Sequence, residues 1–315
     1  MEQNYHHIEE ESFLACEPSA WGGSWTEEKL DAFEKYVNAY LTIMNAFRDR
    51  YSWKLIYFDG FAGSGSRQEK KQEKDSVLLQ DFFKDSILQK EELNLYKGAA
   101  ERVLSIPQRG FDYYYFVDKD PESSLKLHEL LSRFENEKTL VYRNSDANKQ
   151  IEMLANAMTK DEKFASLILL DPFGMQVDWK SIEQLKGTRT DLWILIPTGV
   201  IVNRLLDRKG ELTHIDKLTS FFGKDEDFLR DYFYTRTQEQ TFFGDIERIK
   251  KVEEPIQKIA ELYIEQLHGI FKYVTPKPLV LYNSCNAPIF HFACASNSQV
   301  AIKIANEIIS KKQKK

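Results

Sequence analysis

The sequence lacks the long apolar runs, the leader pattern and the cysteine framework of membrane and secreted proteins. No apolar stretch approaches the ~20 residues that span a bilayer. The opening MEQNYHHIEEESFLACE is acidic and polar where a signal peptide carries a positive and then an apolar segment. A cytoplasmic protein is therefore expected. Only three cysteines occur, Cys16, Cys285 and Cys294. An odd number at scattered positions argues against a disulfide framework and a zinc site, and predicts reduced, mostly buried thiols. His6, His7, His128, His214, His268 and His291 show no ligand spacing, so no metal is expected. With 14 Gly and 9 Pro in 315 residues, collagen-like and low-complexity chains are excluded. Positive charge is also short: 43 Lys and Arg against 49 Asp and Glu leave a net charge of −6. The molecule as a whole does not attract a polyanion, although a local basic groove would.

What remains is a folded chain, 42% hydrophobic, long enough for one large α/β domain with insertions. From Thr26 the apolar residues Leu30, Phe33, Val37, Tyr40, Leu41, Met44 and Phe47 share one helical face, predicting a helix over 26–48 capped by Thr26 after a tail at 1–25. Five nearly continuous apolar runs follow, WKLIYFD (53–59), DYYYFVD (112–118), LVYRNSD (140–146), LILLD (167–171) and LWILIPT (192–198). Such runs suit strands of a parallel sheet buried on both faces. Helical patterns over 98–105, 122–134, 149–158 and 179–185 alternate with them, which predicts a doubly wound α/β sheet. Runs at 278–282 and 289–295, joined by NSCNAP, predict a C-terminal hairpin that adds one antiparallel strand, before an amphipathic stretch over 300–310. Two stretches read as insertions, 66–97 and 207–255, and the pieces KLTSFFG and FLRDYFYT suggest helices forming a lobe or lid over the sheet. The rings of Tyr113–Phe116 and Phe221–Phe222 are expected in the core.

Four of the five predicted strands end in aspartate: Asp59, Asp118, Asp146 and Asp171. Aspartate also favours turns and helix caps. Its recurrence along one sheet edge, where open α/β sheets bind ligands, points to a ligand rim. The first rim loop is Asp59-Gly60-Phe61-Ala62-Gly63-Ser64-Gly65. A phosphate-binding Walker loop needs Gly-Lys-Ser/Thr where this chain has Gly65-Ser66-Arg67, and the dinucleotide spacing G-x-G-x-x-G is reversed here. An acid in front of the loop repels a pyrophosphate but faces a cation well; S-adenosylmethionine carries a sulfonium and an ammonium.

FAGSG after a strand ending in Asp resembles motif I of class I S-adenosylmethionine-dependent methyltransferases, in particular those acting on amino groups of nucleobases. FVDKDP resembles their second motif, RNSDAN their third and ILLDPFG their D/N-P-P-Y/F motif. Intervals of 28 and 25 residues separate Asp118, Asp146 and Asp171, each about one βα unit. More narrowly, W-T-E-x-K-L…Y-V-x-A-Y, D-G-F-A-G-S-G, F-V-D-K-D, L-D-P-F-G and I-P-x-x-x-x-x-N-R, ending at Asn203 and Arg204, resemble the three-Cys-motif partner (TcmP) family of bacteria. The likeness runs from Trp25 to about residue 300 and is weakest in the two insertions. It implies a Rossmann-like class I methyltransferase fold with a mostly parallel sheet, a C-terminal antiparallel hairpin and helical insertions.

The resemblance further implies S-adenosylmethionine as cofactor, held by Asp59, Gly60, Phe61, Ala62, Gly63 and Gly65, by Asp118 on the ribose, and by Asp146 and Ala147 near the adenine. Asp171, Pro172, Phe173 and Gly174 are the implied catalytic segment: the Asp171 carboxylate and the Pro172 carbonyl accept from a target amine, and Phe173 stacks on a base. DPFG has one proline where the commoner motif has two; a comparable D-P-F-G occurs in tRNA guanine dimethyltransferases. Asn203 and Arg204 are candidates for substrate contact, or for surface hydrogen bonding. Arg67, Lys70, Lys71 and Lys74 alternate with Glu69, Glu73 and Asp75 and read as a solvated loop. The expected function is methylation of an exocyclic amino group, in DNA or RNA, alongside a three-Cys-motif partner. A non-catalytic scaffold subunit, and methylation of a protein or small molecule, stay open.

Overall fold

The computed structural model describes residues 24–65, 98–208, 210–241, 244–283 and 285–313. The insertion at 66–97, with Arg67, Lys70, Lys71 and Lys74, and most of the 1–25 tail lie outside them. Helix α1 covers Ser24–Tyr51, longer at both ends than the expected 26–48, so Thr26 is inside the helix and does not cap it. Glu27 in its first turn and Arg48 and Arg50 in its last suit the helix dipole. The face carrying Phe33, Tyr36, Val37, Tyr40 and Leu41 is buried, with the Tyr36 and Phe33 rings packed edge-on against Trp193.

The apolar runs form β1 (Lys54–Asp59), β2 (Tyr113–Asp118), β3 (Leu140–Asn144), β4 (Phe164–Leu170) and β5 (Thr190–Ile196). Strand β1 lies between β2 and β4, parallel to both, with Asp59 opposite Phe116 on one side and Leu169 on the other. Strand β3 extends the sheet beyond β2, and β5 extends it beyond β4. Near the C-terminus are β8 (Tyr273–Val274), β9 (Leu279–Tyr282) and β10 (Pro288–Ser296). The expected hairpin is β9–β10: β10 runs antiparallel to β5, β8 and β9, so it is the one reversed strand among those described in this sheet. The order β3-β2-β1-β4-β5-β10-β8, reversing direction beside β1, is an α/β arrangement of the Rossmann-like methyltransferase type.

Between the strands lie α2 (Ala99–Leu104), α3 (Pro121–Leu131), α4 (Ala147–Lys160) and α5 (Trp179–Glu183). Alternation along β1 sends Leu55 and Tyr57 into a core shared with α1, α2 and the C-terminal helix, and Ile56 and Phe58 into a second core on the other face. That second core holds α4 and α5. It also takes up Leu218, Phe221, Phe222, Leu229 and Phe233, so the aromatic pieces of the 207–255 stretch are core side chains as well as an elaboration of the sheet.

The 207–255 stretch follows a π-helical turn (Thr198–Val202) and α6 (Asn203–Leu205), and contains α7 (Ile215–Phe222) and α8 (Glu226–Phe233). It then forms β6 (Tyr234–Thr241) and β7 (Gly244–Lys251), an antiparallel hairpin that the sequence pattern did not predict. The chain continues through α9 (Pro255–His268) and, after β10, ends its described part in α10 (Gln299–Gln313), which packs on α1 and is tied to it by Lys312–Asp31 at 3.1 Å. Cys294 is free and buried, as expected, but Cys285 is disulfide-bonded, which corrects the expectation of reduced thiols; a pairing made by tertiary proximity leaves no local spacing to read. Among the described residues no helix is long and apolar enough to cross a membrane.

Candidate active site at the carboxyl edge

The parallel strands deliver their aspartates to the edge where the strand order reverses. Asp59 and Asp118 are the last residues of β1 and β2. Strand β4 stops at Leu170, one residue before Asp171, and β3 stops at Asn144, two before Asp146. Proximity in the fold therefore follows from equal strand phase and from the β1–β4 crossover, and it joins Asp59, Asp118 and Asp171 most closely.

Asp59 is buried below the loop it precedes, its carboxylate accepting from the Phe61 N–H and the Tyr57 hydroxyl, each at 3.3 Å. Burial first, then the charge of Asp171, with Asp118 adding to it, pushes the Asp59 carboxyl up to about 7. Asp59 thus shapes the loop and carries a proton exchangeable near neutrality. The loop is stitched to both neighbours of β1: Gly60 N–H donates to Leu169 O at 3.0 Å and Ala62 N–H to Val117 O at 2.9 Å. Phe61 packs against the core on the β1 face that holds Phe58.

Asp118 clasps the loop from the second strand. One of its oxygens accepts from Gly63 N–H and the other from Asp120 N–H, both at 2.8 Å. Each oxygen keeps a lone pair for a further donor. Gly63 and Gly65 have φ of +61° and +68°, a region that disfavours side chains. A Cβ on Gly65 would strike Leu127 and Leu130 at 2.7 Å, whereas one on Gly63 would meet nothing within 4 Å among the described residues. The loop is packed at Gly65 and open at Gly63.

Asp146 caps α4, accepting from Asn148 N–H at 2.9 Å, and Ala147 is the first, buried residue of that helix. At the end of β4, Pro172 is buried, Phe173 is 61% exposed and Gly174 lies under Ile201, where a Cβ would come within 2.9 Å. Asn203 and Arg204 follow the π-helical turn on α6. The carbonyl and side-chain oxygens of Asn203 both accept from Lys251 Nζ, at 2.6 and 2.7 Å, so Asn203 ties the foot of the β6–β7 hairpin. Burial lowers the Lys251 ammonium to about 8.

Sequence reasoning missed Lys29. From the first turns of α1 its ammonium reaches Asp171 Oδ2 at 2.5 Å, with only 6% of its side chain exposed, and it lies 5.3 Å from the centre of the Trp25 ring. Trp25 in turn stacks on Phe290 of β10 at 5.2 Å. The signal was present, since Lys29 precedes Phe33 and Tyr36 on the buried stripe at helical spacing, an unusual place for a lysine. Glu27 and Asp31 share Arg102 of α2, which fixes this end of α1 beside the site.

Three carboxyl groups, of which Asp59 is part-protonated near neutrality, against one buried ammonium leave an edge suited to a cationic ligand bearing hydroxyl donors. Among the described residues no group of histidine, cysteine or acid side chains is arranged to hold a metal ion. No family model matches the chain, and no curated protein resembles it in sequence.

Proposed function

We propose that this chain is an S-adenosylmethionine-dependent methyltransferase acting on an exocyclic amino group of a nucleobase in DNA or RNA, in company with a three-Cys-motif partner. The observation that carries the reading is the convergence of Asp59, Asp118 and Asp171 around a glycine loop that is open at Gly63. When bound, the cofactor supplies an electrophilic methyl group on a positively charged sulfur. Asp118, already oriented by two N–H bonds, accepts the ribose hydroxyls with its remaining lone pairs. Asp59, its carboxyl raised to about 7, shapes the loop from beneath by accepting from the Phe61 N–H. Asp146 and Ala147 stand at the start of α4, on the adenine side.

Lys29 occupies Asp171 Oδ2, which leaves Oδ1 and the Pro172 carbonyl to accept from the target amine and hold its lone pair in line. The exposed Phe173 ring offers a stacking face to an extruded base. Asn203 and Arg204 lie beyond the next strand as substrate contacts. We assign the activity to the cytoplasm, where the cofactor is made. A thiol count on the purified protein checks that assignment against the Cys285 disulfide, which a reducing cytosol disfavours.

Calorimetric titration with S-adenosylhomocysteine tests the cofactor class. Saturable binding that disappears in Asp118→Ala, with the far-UV spectrum unchanged, supports the proposal; a folded wild type that binds nothing overturns it. The Lys29–Asp171 ion pair favours a second reading, a non-catalytic subunit that keeps the fold. Methyl transfer by the wild type that is lost in Asp171→Ala, with S-adenosylhomocysteine binding retained, decides for the enzyme.

A further inference from the structure

A cavity of about 810 Å³ opens at the opposite, amino edge of the sheet, between the second half of α1, the starts of β4 and β5, the turn after α9 and the start of α10. Its volume is in the range of pockets that enclose small ligands. With strands six to seven residues long, it stands roughly 20 Å from the glycine loop.

Its floor is polar and mostly self-satisfied. Asp191 accepts from the Tyr36 hydroxyl at 2.7 Å and from Ser296 Oγ at 2.5 Å. The hydroxyls of Ser166, Thr190 and Thr188 form a chain with 2.8 Å links. Tyr40 breaks this pattern. Its side chain lines the cavity and is 6% exposed, and its hydroxyl oxygen is buried with no hydrogen-bond partner among the described residues. Tyr263 is buried with an equally unpaired hydroxyl, so Tyr40 contributes its ring to the cavity wall and not a polar anchor.

Walls and mouth define what the cavity takes. Ile43, Met44, Phe271 and Ile304 supply apolar surface. Lys186, Arg189 and Lys272 stand at the mouth, all exposed, while Asp191 is the single acid among the lining residues, half-buried and held by Tyr36 and Ser296. Arg189 is fixed there by a 2.6 Å bond to Glu162 O and by the Trp53 ring, 4.7 Å away. We infer that the amino edge carries a second ligand site, which takes a small organic anion: its apolar body lies against α1 and α10, and its charge faces Arg189 and Lys272. The site does not depend on the activity proposed for the carboxyl edge.

The probe is 8-anilinonaphthalene-1-sulfonate, titrated into the full chain and followed by fluorescence. One saturable site is expected, weakened at least tenfold by Arg189→Glu combined with Lys272→Glu, blocked by Ile304→Trp, and indifferent to saturating S-adenosylhomocysteine. Competition separates two sources of the same chemistry: displacement by decanoate assigns an acyl chain, and displacement by indole-3-acetate a ring. Displacement by neither, or a probe signal unchanged in the charge and tryptophan variants, overturns the inference.

Discussion

Lys29 and Asp171, 142 residues apart in the chain, form a 2.5 Å ion pair that fastens the first described helix to the end of β4. Its ammonium is almost fully buried while the carboxylate is a quarter exposed. Removing the cation leaves a partly buried charge with no counter-charge. Lys29→Met is expected to cost about 2 kcal/mol, discounted for the exposure of Asp171, and Lys29→Met with Asp171→Asn to cost less than the single change. Urea unfolding of the four proteins of the cycle measures both; equal losses would show that the pair adds nothing.

Asp59 makes stability depend on pH. Its carboxyl is raised to about 7 in the folded protein, so between about pH 4 and pH 7 the folded state holds a proton that the unfolded state has released. Its contribution is complete below pH 4 and is lost as pH rises through 7. His291, bonded to Thr198 at 2.8 Å and lowered by burial to about 4, acts in the opposite sense, its contribution present above about 6.5 and lost as pH falls through 4. The two partly cancel in the wild type. Asp59→Asn is therefore expected to be more stable relative to the wild type at pH 8 than at pH 5, as read from denaturant midpoints at both values.

The two left-handed glycines of the rim loop are expected to separate folding from binding. Gly65→Ala meets Leu127 and Leu130 and should lower stability by ~2 kcal/mol. Gly63→Ala has room for its methyl group and should cost only ~1 kcal/mol for the backbone conformation. That methyl group projects from the open side of the loop, so Gly63→Ala should lose more S-adenosylhomocysteine affinity per unit of stability lost. Calorimetry and thermal melts on both variants give the comparison.

Asp118 and Asp146 are expected to differ in kind. Asp118→Ala removes a carboxylate that orients the loop and faces the ligand, which predicts a ~10- to 100-fold loss of S-adenosylhomocysteine affinity. Asp146→Ala removes a helix cap and should cost about 1 kcal/mol of stability, with a smaller effect on binding. Similar binding losses in both would place Asp146 on the ligand too.

Much of the sheet was legible because its strands are buried on both faces, so runs such as LILL carry their own signature. The β6–β7 hairpin was not: TRTQEQT and GDIERIKK have little apolar character and are held by backbone pairing, which leaves little trace in a hydrophobicity pattern. The aspartates at the strand ends could be read because equal strand phase brings them to one edge. Lys29 could not be placed, because its partner is fixed by the packing of α1 across the sheet and by nothing near it in sequence. Asn203 was legible as a position but not in its bond to Lys251, which depends on where the hairpin returns.

The reversed strand β10 sets a delay in making the protein. Trp193 of β5 packs against Phe292 of β10 with ring centres 4.7 Å apart, yet 91 residues lie between Ile196, where β5 ends, and Pro288, where β10 begins. At ribosomal speeds of about 5–20 residues per second, β5 waits roughly 5–20 seconds after its own synthesis for the strand that covers it. During that interval an apolar strand edge is open to other nascent chains. Yield in the cell is thus tied to how the edge of β5 is shielded until the last hairpin arrives.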